Sequence, residues 1–448
     1  MRETNHFTEG PILGPLIQFA VPVLFALFLQ AMYGAVDLLV VGKFAEAADV
    51  SAVSTGSQLM QTVTGLISGL AMGITVFLGQ KIGEGNGQEG GRIVGAGIWL
   101  FTVIGIAFTF LVAGGASGLA AVMQTPAEAF SRAVSYIRIC GLGILVILAY
   151  NLIGSIFRGI GDSVTPLITV AIACVFNIAG DLLLVAVFHM GSAGAAIATV
   201  AAQGVSVLIS LGMIRKKELP FALHREDIRR DWTLIRRILW VGVPIALQDL
   251  LVGISFLVIL AIVNTLGVTA SAGVGVAEKV CAFIMLVPAA FMQSMSAFVA
   301  QNRGAGKPER AMRGLVYAIG VSFLCGAVMG YTAYFHGEML TGIFARDADV
   351  IAAGADYLRA YAIDCLLTCF LFCFIGYYNG MEQTRFVMLQ GIFSAFCIRV
   401  PVSFFMSRQV PVSLFRIGLA TPCSTVVQIV MCLLYLRVRK GRRTISLS

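Results

Sequence analysis

The chain of 448 residues is 58% hydrophobic and only 12% charged, with a formal net charge of +8 at pH 7. Soluble domains carry about 25% charged residues, so this composition excludes a soluble globular protein. A helix of about 20 apolar residues crosses a bilayer, and apolar stretches of this length recur along the whole chain. The composition therefore predicts an integral membrane protein with many spans.

Twelve apolar stretches follow one another, six on each side of a central polar segment. The predicted spans are 12–42, 50–78, 93–122, 133–157, 164–188, 191–214, 234–264, 272–300, 312–336, 350–380, 386–406 and 411–436. An even number of spans places both termini on the same side of the membrane. The predicted fold class is an all-α polytopic membrane protein with 12 transmembrane helices.

Two acids stand out in the first six spans. Asp37 lies toward the end of the first span and Asp181 lies in the fifth, where Asn177 precedes it by one helical turn. A charge in hydrocarbon costs several kcal/mol, so such residues are functional hypotheses by default. We expect each acid to hold a cation or a proton.

Other polar residues recur at helical spacing in the first two spans. Gln30 and Tyr33 share a predicted face with Asp37, and Gln58 and Gln61 form a stripe on the second span. These residues are predicted to line a wet substrate cavity. Hydrogen bonding between helices accounts for such residues equally well.

The central polar segment is RKKELPFALHREDIRRDWT, residues 215–233. It predicts a linker between an N-lobe at 1–214 and a C-lobe at 234–448. Its charged residues alternate with apolar ones, which predicts an amphipathic helix on the cytoplasmic membrane surface. The apolar residues are Leu219, Phe221, Leu223, Ile228 and Trp232.

The second six spans repeat the first. A constant shift along the chain superimposes Gln80 and Gly83 on Gln301 and Gly304, within the stretches QKIGEGNGQEGGR and QNRGAGKPERAMR. Repeats of this kind are typical of alternating-access carriers, which bind substrate between the two copies. The repeat therefore predicts two pseudo-symmetric six-helix lobes around a central cavity.

The chemistry of the two copies differs. Asp181 has Val402 as its counterpart, and no acid takes the place of Asp37 in the second copy. That copy has other charged and polar residues within its spans, which we predict to line the cavity or to form structural ion pairs. They include Gln248, Asp249, Glu278 and Lys279.

Lysine and arginine predict the orientation. Most of the 31 such residues lie in loops on the side of the two termini, so the positive-inside rule places both termini in the cytoplasm. The predicted location is the inner, cytoplasmic cell membrane. Contact with anionic lipid accounts for the positive charge, and we expect no nucleic-acid partner.

With these features in place, the sequence resembles the multidrug and toxic compound extrusion (MATE) transporters over essentially its whole length, and bacterial drug exporters most. The residues and motifs that carry the resemblance are Pro22, Asp37, the NxxxD of Asn177 and Asp181, Thr199 in GAAIATVAAQ, and QNRGAGKPERA. The resemblance implies a monomeric antiporter that expels organic, often cationic, compounds while H⁺ or Na⁺ enters, with no other cofactor. The coupling site that it implies comprises Asp37, Asn177, Asp181, Thr199 and the carbonyl of Ala195, with a helix hinge at Pro22.

The sequence can also be compared with three other kinds of protein: a lipid flippase, an enzyme and a metal-binding protein. A lipid-linked oligosaccharide flippase of related architecture would need a more basic cavity for its pyrophosphate headgroup. An enzyme is not expected, because the four His residues lie in loops or at helix ends without a nucleophile and base nearby. Cys365, Cys369 and Cys373 share a helix face, but no His lies near them, so packing is favoured over a metal site.

Overall fold

The structure is a computed structural model that describes residues 7–217 and 219–445; for Tyr33 and residues 440–445 it describes the backbone alone. Helices account for most of this chain. In the first part they are α1 (Leu13–Phe44), α2 (Ala47–Gly83), α3 (Gln88–Gly114), α4 (Ala116–Val122), α5 (Ala127–Leu142), α6 (Ile144–Ile160), α7 (Val164–Asp181) and α8 (Gly191–Lys216). A π-helix, Leu182–Val187, continues α7.

The second part of the chain has the same character. Its helices are α9 (Trp232–Asn264), α10 (Val268–Ile284), α11 (Leu286–Gly304), α12 (Pro308–Phe335), α13 (Gly337–Gly342), α14 (Ala348–Gly380), α15 (Thr384–Ser394), α16 (Val400–Ser407), α17 (Leu414–Gly418) and α18 (Ala420–Ile445). A second π-helix, Ala395–Arg399, joins α15 to α16. No β-strand forms within the two described ranges.

Eleven helical stretches of the described chain are long and apolar enough to cross a membrane, and some of them join two consecutive helices, as Val268–Gly304 joins α10 and α11. The number is twelve if one bent pair is a single span. The bent pair is α5 and α6, which meet at an angle of 51° around Gly143. The predicted span 133–157 runs across this bend, because a continuous apolar stretch does not reveal a change of direction.

The described chain forms two compact units. Unit 1 comprises the described segment up to Gly10, Ile17–Ala246 and Ala300–Lys307. Unit 2 comprises Pro11–Leu16, Leu247–Val299 and the described chain from Pro308 onward. The lobe boundaries at 214 and 234 stay a prediction.

Each unit is organised around one deeply buried helix. In unit 1, α2 packs against α5 and α6 and buries Ile67, Ile74 and Phe77 in a continuous apolar core. In unit 2, α14 packs against α10, α12 and α18, and its Tyr357 and Leu358 are fully buried. Apolar side chains on all sides are expected of a helix that is enclosed by other helices.

The predicted amphipathic helix in the linker is wrong. Only Arg225–Asp227 forms a short 3-10 turn, and the rest of residues 219–231 is non-helical. The segment lies against the N-terminal half of α3, where the Phe221 side chain is buried. Contact with a neighbouring helix therefore determines its conformation, which the alternation of apolar and charged residues did not reveal.

Candidate functional site

Three helices of unit 1 bring four of the predicted residues together. Asp37 comes from α1, Asn177 and Asp181 from α7, and Thr199 from α8. Asn177 and Asp181 are fully buried, and Asp37 is 3% exposed. The four-residue spacing of Asn177 and Asp181 places both on one face of α7, as the sequence indicated.

Hydrogen bonds connect three of these side chains in series. Asn177 Nδ2 donates to Thr199 Oγ1 over 3.4 Å, and the Thr199 hydroxyl donates to Asp37 Oδ2 over 3.0 Å. Thr199 thus links the α7 amide to the α1 carboxylate. Because a hydroxyl has a single proton, its orientation toward Asp37 fixes the direction of the whole series.

Asp181 approaches Asp37 closely enough for their carboxyl groups to interact directly. Within the described residues, four oxygens of the group lack any hydrogen-bond donor. They are Asp37 Oδ1, Asn177 Oδ1, and Asp181 Oδ1 and Oδ2. Buried polar atoms are normally satisfied, so a cluster of four acceptor oxygens is a candidate binding site for a proton or a cation.

The described surroundings of the two acids include no ion-pair partner. None of the ion pairs in the described chain involves Asp37 or Asp181. The neighbours on the α5 side are Tyr136 and Cys140, which are both almost fully buried and interact electrostatically with Asp37. Two carboxylates in such a site cannot both stay charged cheaply, so the group suits a shared proton or a cation with oxygen ligands.

A glycine of α7 allows α7 and α8 to pack closely at the site. A Cβ atom on Gly180 would lie 3.0 Å from the Ala198 side chain, so α7 and α8 pack tightly beside Asp181 and Thr199. The π-helix Leu182–Val187 begins directly after Asp181. Short π-helical turns within α-helices are frequent at functional sites. Hydropathy gave no indication of this feature.

Other predicted residues of the first copy lie elsewhere. Ala195 is buried in α8 one turn before Thr199, and its carbonyl has no described contact with the acids. Gln30 donates to the Tyr150 hydroxyl over 2.7 Å, whereas Gln58 and Gln61 are exposed on α2. The remaining two predictions are the hinge Pro22, which lies inside the continuous helix α1, and Tyr33, whose side chain is outside the described residues.

The predicted cavity residues of the second copy lie in unit 2. The Gln248 side chain packs against Gly391, and Asp249 and Lys279 are exposed. Glu278 is half-buried, and its Oε1 has no donor among the described residues. Their role as a substrate cavity stays a prediction.

Unit 2 contains two buried charges of opposite sign outside the predicted site residues. Asp364 on α14 and Arg399 at the end of the second π-helix are 1% and 5% exposed and interact electrostatically. Arg399 Nη1 donates to Ser255 Oγ over 3.2 Å, and its guanidinium lies 4.4 Å from the Phe256 ring centroid. The positions of Asp364 and Arg399 inside the predicted spans 350–380 and 386–406 could have indicated these two residues from the sequence, because charged residues are rare within membrane spans.

The three cysteines of α14 take part in helix packing. Cys369 Sγ donates to the Cys365 carbonyl, and it would lie 2.4 Å from a Cβ atom on Gly326. The described residues include no group of three His, Cys, Asp or Glu side chains placed to hold a metal ion.

Comparison with known proteins gives one consistent result. The family described as MatE matches residues 22–183 and 244–405, one stretch in each copy of the repeat. Probable multidrug resistance protein YpnP of Bacillus subtilis (strain 168) is 29% identical over 409 residues, which cover 88% of each chain. Multidrug export protein MepA of Staphylococcus aureus (strain MSSA476) is 20% identical over 90% of this chain and 89% of that protein.

Solved structures show the same likeness. A crystal structure of MATE in the bent conformation matches with a TM-score of 0.92 at 18% identity, and it covers 100% of both chains. A likeness of this extent shows a shared fold. Together with the apolar helices, it confirms the predicted all-α, multi-pass membrane fold of two lobes.

Proposed function

The chain belongs to the MatE family, and on that premise we propose that it is a multidrug efflux antiporter. It exports organic, often cationic, compounds across the cytoplasmic membrane while H⁺ or Na⁺ moves inward. The relatives named as multidrug resistance and multidrug export proteins support the export of drugs. The coupling site is the group of Asp37, Asn177, Asp181 and Thr199.

The observation that carries the proposal is the pair of uncompensated acids. Asp37 and Asp181 are buried together, and three of their four carboxylate oxygens have no donor in the described chain. A coupling site must change its charge during transport, and two adjacent carboxylates do so when a proton or cation enters or leaves. Asn177 and Thr199 are uncharged, so they orient the acids without neutralising them.

Coupling follows because the site has a different charge with and without the ion. When the ion leaves, the acids repel each other and attract a cationic substrate; when the ion binds, both forces weaken. The hydrogen bond from Thr199 to Asp37 links this change to α1. Pro22 cannot donate a backbone hydrogen bond within α1, so this helix has a built-in place to bend. Exchange requires that substrate and ion favour different states of the protein.

A flippase for lipid-linked oligosaccharides fits the charges less well. Arg399 is the one buried arginine among the described residues of unit 2, and the buried Asp364 acts on it electrostatically with the opposite charge. A phosphate receptor would need cations without such a partner. We therefore assign the buried charges of unit 2 to packing and to the lining of the substrate path.

Efflux of a fluorescent organic cation from cells tests the proposal. Asp37→Asn and Asp181→Asn preserve shape and remove one charge each, so both should reduce efflux to near the background of cells without the transporter. Glu338→Gln, at an exposed position of unit 2, serves as the matched control and should retain efflux. Wild-type efflux in both site variants would reject the assigned coupling site.

The coupling ion is identified in proteoliposomes. A Na⁺ gradient and a pH gradient are imposed separately, and uptake of the same cation is followed. Uptake driven by one gradient alone names the ion. Uptake that neither gradient accelerates would contradict antiport, even if the protein binds the drug.

A further inference from the structure

The linker forms a strap over the N-terminal half of α3. This strap, residues 219–231, runs along a row of four glycines, the N-cap residue of α3 and three residues of its first two turns. A Cβ atom on Gly91 would lie 2.1 Å from the Ala222 carbonyl oxygen, and one on Gly95 would lie 2.2 Å from the Asp227 carbonyl oxygen. A Cβ atom on Gly87 would lie 2.4 Å from the Pro220 carbonyl oxygen, and one on Gly90 would lie 2.6 Å from the Phe221 ring. Glycine at positions 87, 91 and 95 leaves room for the strap backbone, and Gly90 leaves room for the Phe221 ring.

Side chains hold the strap in place at both ends. Phe221 is 7% exposed near the beginning of the strap, and Arg92 of α3 forms a 3.0 Å ion pair with Asp231 at its end. Between them, the Asp227 carboxylate accepts a hydrogen bond from the His224 backbone N–H. The strap is therefore fixed on one face, and its opposite face has a defined set of exposed residues.

The exposed face combines large apolar side chains with arginines. Leu223, Ile228 and Trp232, which directly follows the strap, are 43%, 43% and 57% exposed. The Arg230 guanidinium lies 4.2 Å from the Trp232 ring centroid. The other exposed arginines of this face are Arg225 and Arg229.

The exposed arginines of the strap outnumber its exposed acids, since Glu226 is exposed, Asp227 is half-buried and Asp231 pairs with Arg92. In the described part of the chain, Arg225 and Arg229 take part in no ion pair, and Arg230 contacts an aromatic ring instead of a carboxylate. A face of apolar and aromatic side chains interleaved with basic ones is typical of the membrane interface. Its charge complements an anionic lipid headgroup.

We propose that the outer face of the strap is a binding surface for anionic phospholipid of the cytoplasmic leaflet. Leu223, Ile228 and Trp232 insert between the headgroups, and Arg225, Arg229 and Arg230 contact the lipid phosphates. The assignment to this leaflet rests on the proposed orientation of the chain, but lipid binding itself requires neither the coupling ion nor a drug. The glycine row of α3 serves to present this surface at a fixed position.

Fluorescence of Trp232 tests lipid binding directly. The chain has three Trp residues, so Trp99→Phe and Trp240→Phe leave Trp232 as the single emitter. The purified full-length protein in detergent is titrated with phosphatidylglycerol or phosphatidylcholine that has a nitroxide quencher near the headgroup. We expect phosphatidylglycerol to quench at a lower mole fraction, by about fivefold for each arginine that contacts it.

Arg229→Gln/Arg230→Gln should abolish most of this preference. Arg346→Gln/Arg408→Gln is the matched control, since both residues are exposed in unit 2 and Arg408 also lies near an aromatic ring, 5.1 Å from the Phe404 centroid. The control should keep the full preference. Equal quenching by both lipids in the parent protein, or an unchanged preference in the strap variant, would overturn the proposal.

Two further measurements separate this proposal from misfolding and from the transport mechanism. Raising the salt to about 1 M, where the screening length falls to about 3 Å, should remove the preference of the parent protein without any mutation. Asp37→Asn should bind phosphatidylglycerol as the parent does. A preference that persists at high salt would contradict the electrostatic origin, whereas loss of efflux in Asp37→Asn leaves lipid binding intact.

Discussion

Gly83 and Gln301 lie so close that a Cβ atom on Gly83 would be 1.9 Å from the Gln301 carbonyl oxygen. The reverse contact is identical: a Cβ atom on Gly304 would lie 1.9 Å from the Gln80 carbonyl oxygen. The two copies of the repeated Gln-x-x-Gly motif thus contact each other reciprocally, as equivalent surfaces do across a two-fold axis. Both copies lie within unit 1, at the ends of α2 and α11.

This reciprocity predicts that Gly83→Ala and Gly304→Ala have similar effects. Either methyl group would overlap a backbone oxygen that cannot rotate away, so we expect a loss of about 1–3 kcal/mol or more in stability. Thermal unfolding of the purified variants measures it. Gly65→Ala and Gly320→Ala, where nothing lies within 4 Å of the added methyl group, should unfold near the wild-type temperature. A large difference between the two motif variants would contradict the symmetric contact.

Thr199 offers a test of the hydrogen-bond series. Thr199→Val retains the shape of the side chain but leaves Asp37 Oδ2 without its donor, whereas Thr199→Ser retains the hydroxyl. A hydrogen bond to a charged acceptor contributes about 1.5–3 kcal/mol, so Val should shift the ion dependence of transport by about tenfold or more. Transport at varied Na⁺ and pH measures this shift. If Ser and Val behave alike, the hydroxyl does not act on Asp37.

The buried pair in unit 2 predicts a strongly non-additive mutant cycle. Arg399→Gln removes a charge that acts on the buried Asp364 carboxylate, which should lower stability by about 0.5–3 kcal/mol. Asp364→Asn/Arg399→Gln removes both charges and should be markedly more stable than either single variant. Chemical unfolding of all four proteins gives the coupling free energy. Additive effects of the single variants would show that the two charges do not interact.

Asp162, in the loop before α7, predicts a pH-dependent contribution to stability. Burial raises the pKa of its carboxyl, but hydrogen bonds from Lys217 and Thr165 outweigh this effect and hold the pKa below its ordinary value of 3.8. A lowered pKa in the folded state gives stability that is present above the ordinary value and is lost as the pH falls through the folded one. Asp162→Asn should therefore cost about 1 kcal/mol at neutral pH, comparable to loss of a helix cap.

The difference in melting temperature between wild type and Asp162→Asn should shrink as the pH is lowered below about 4. Glu128→Gln, at an exposed position of unit 1, controls for the general loss of a carboxylate. A difference that stays constant down to pH 3 would exclude titration of Asp162 as its source.

The sequence by itself determined the class of protein and the identity of the acids. Apolar stretches of membrane-spanning length require helices, because backbone groups in hydrocarbon must be paired within the segment. Asp37 and Asp181 could be recognised from the sequence as candidate functional residues, because a charge within a membrane span is costly however the helix packs. Thr199 came from the resemblance to a family, because a lone threonine in an alanine-rich helix gives no physical signal.

Only the tertiary structure decided which distant residues meet. Arg399 contacts Ser255 across 144 positions of the chain, and the strap follows glycines of α3 that precede it by more than a hundred residues. Periodicity describes a single segment, so it treated the linker as a helix and could not detect the groove that holds it. Hydropathy likewise measures transfer into the membrane, whereas the unsatisfied oxygens of Asp37, Asn177 and Asp181 arise from the packing of three helices.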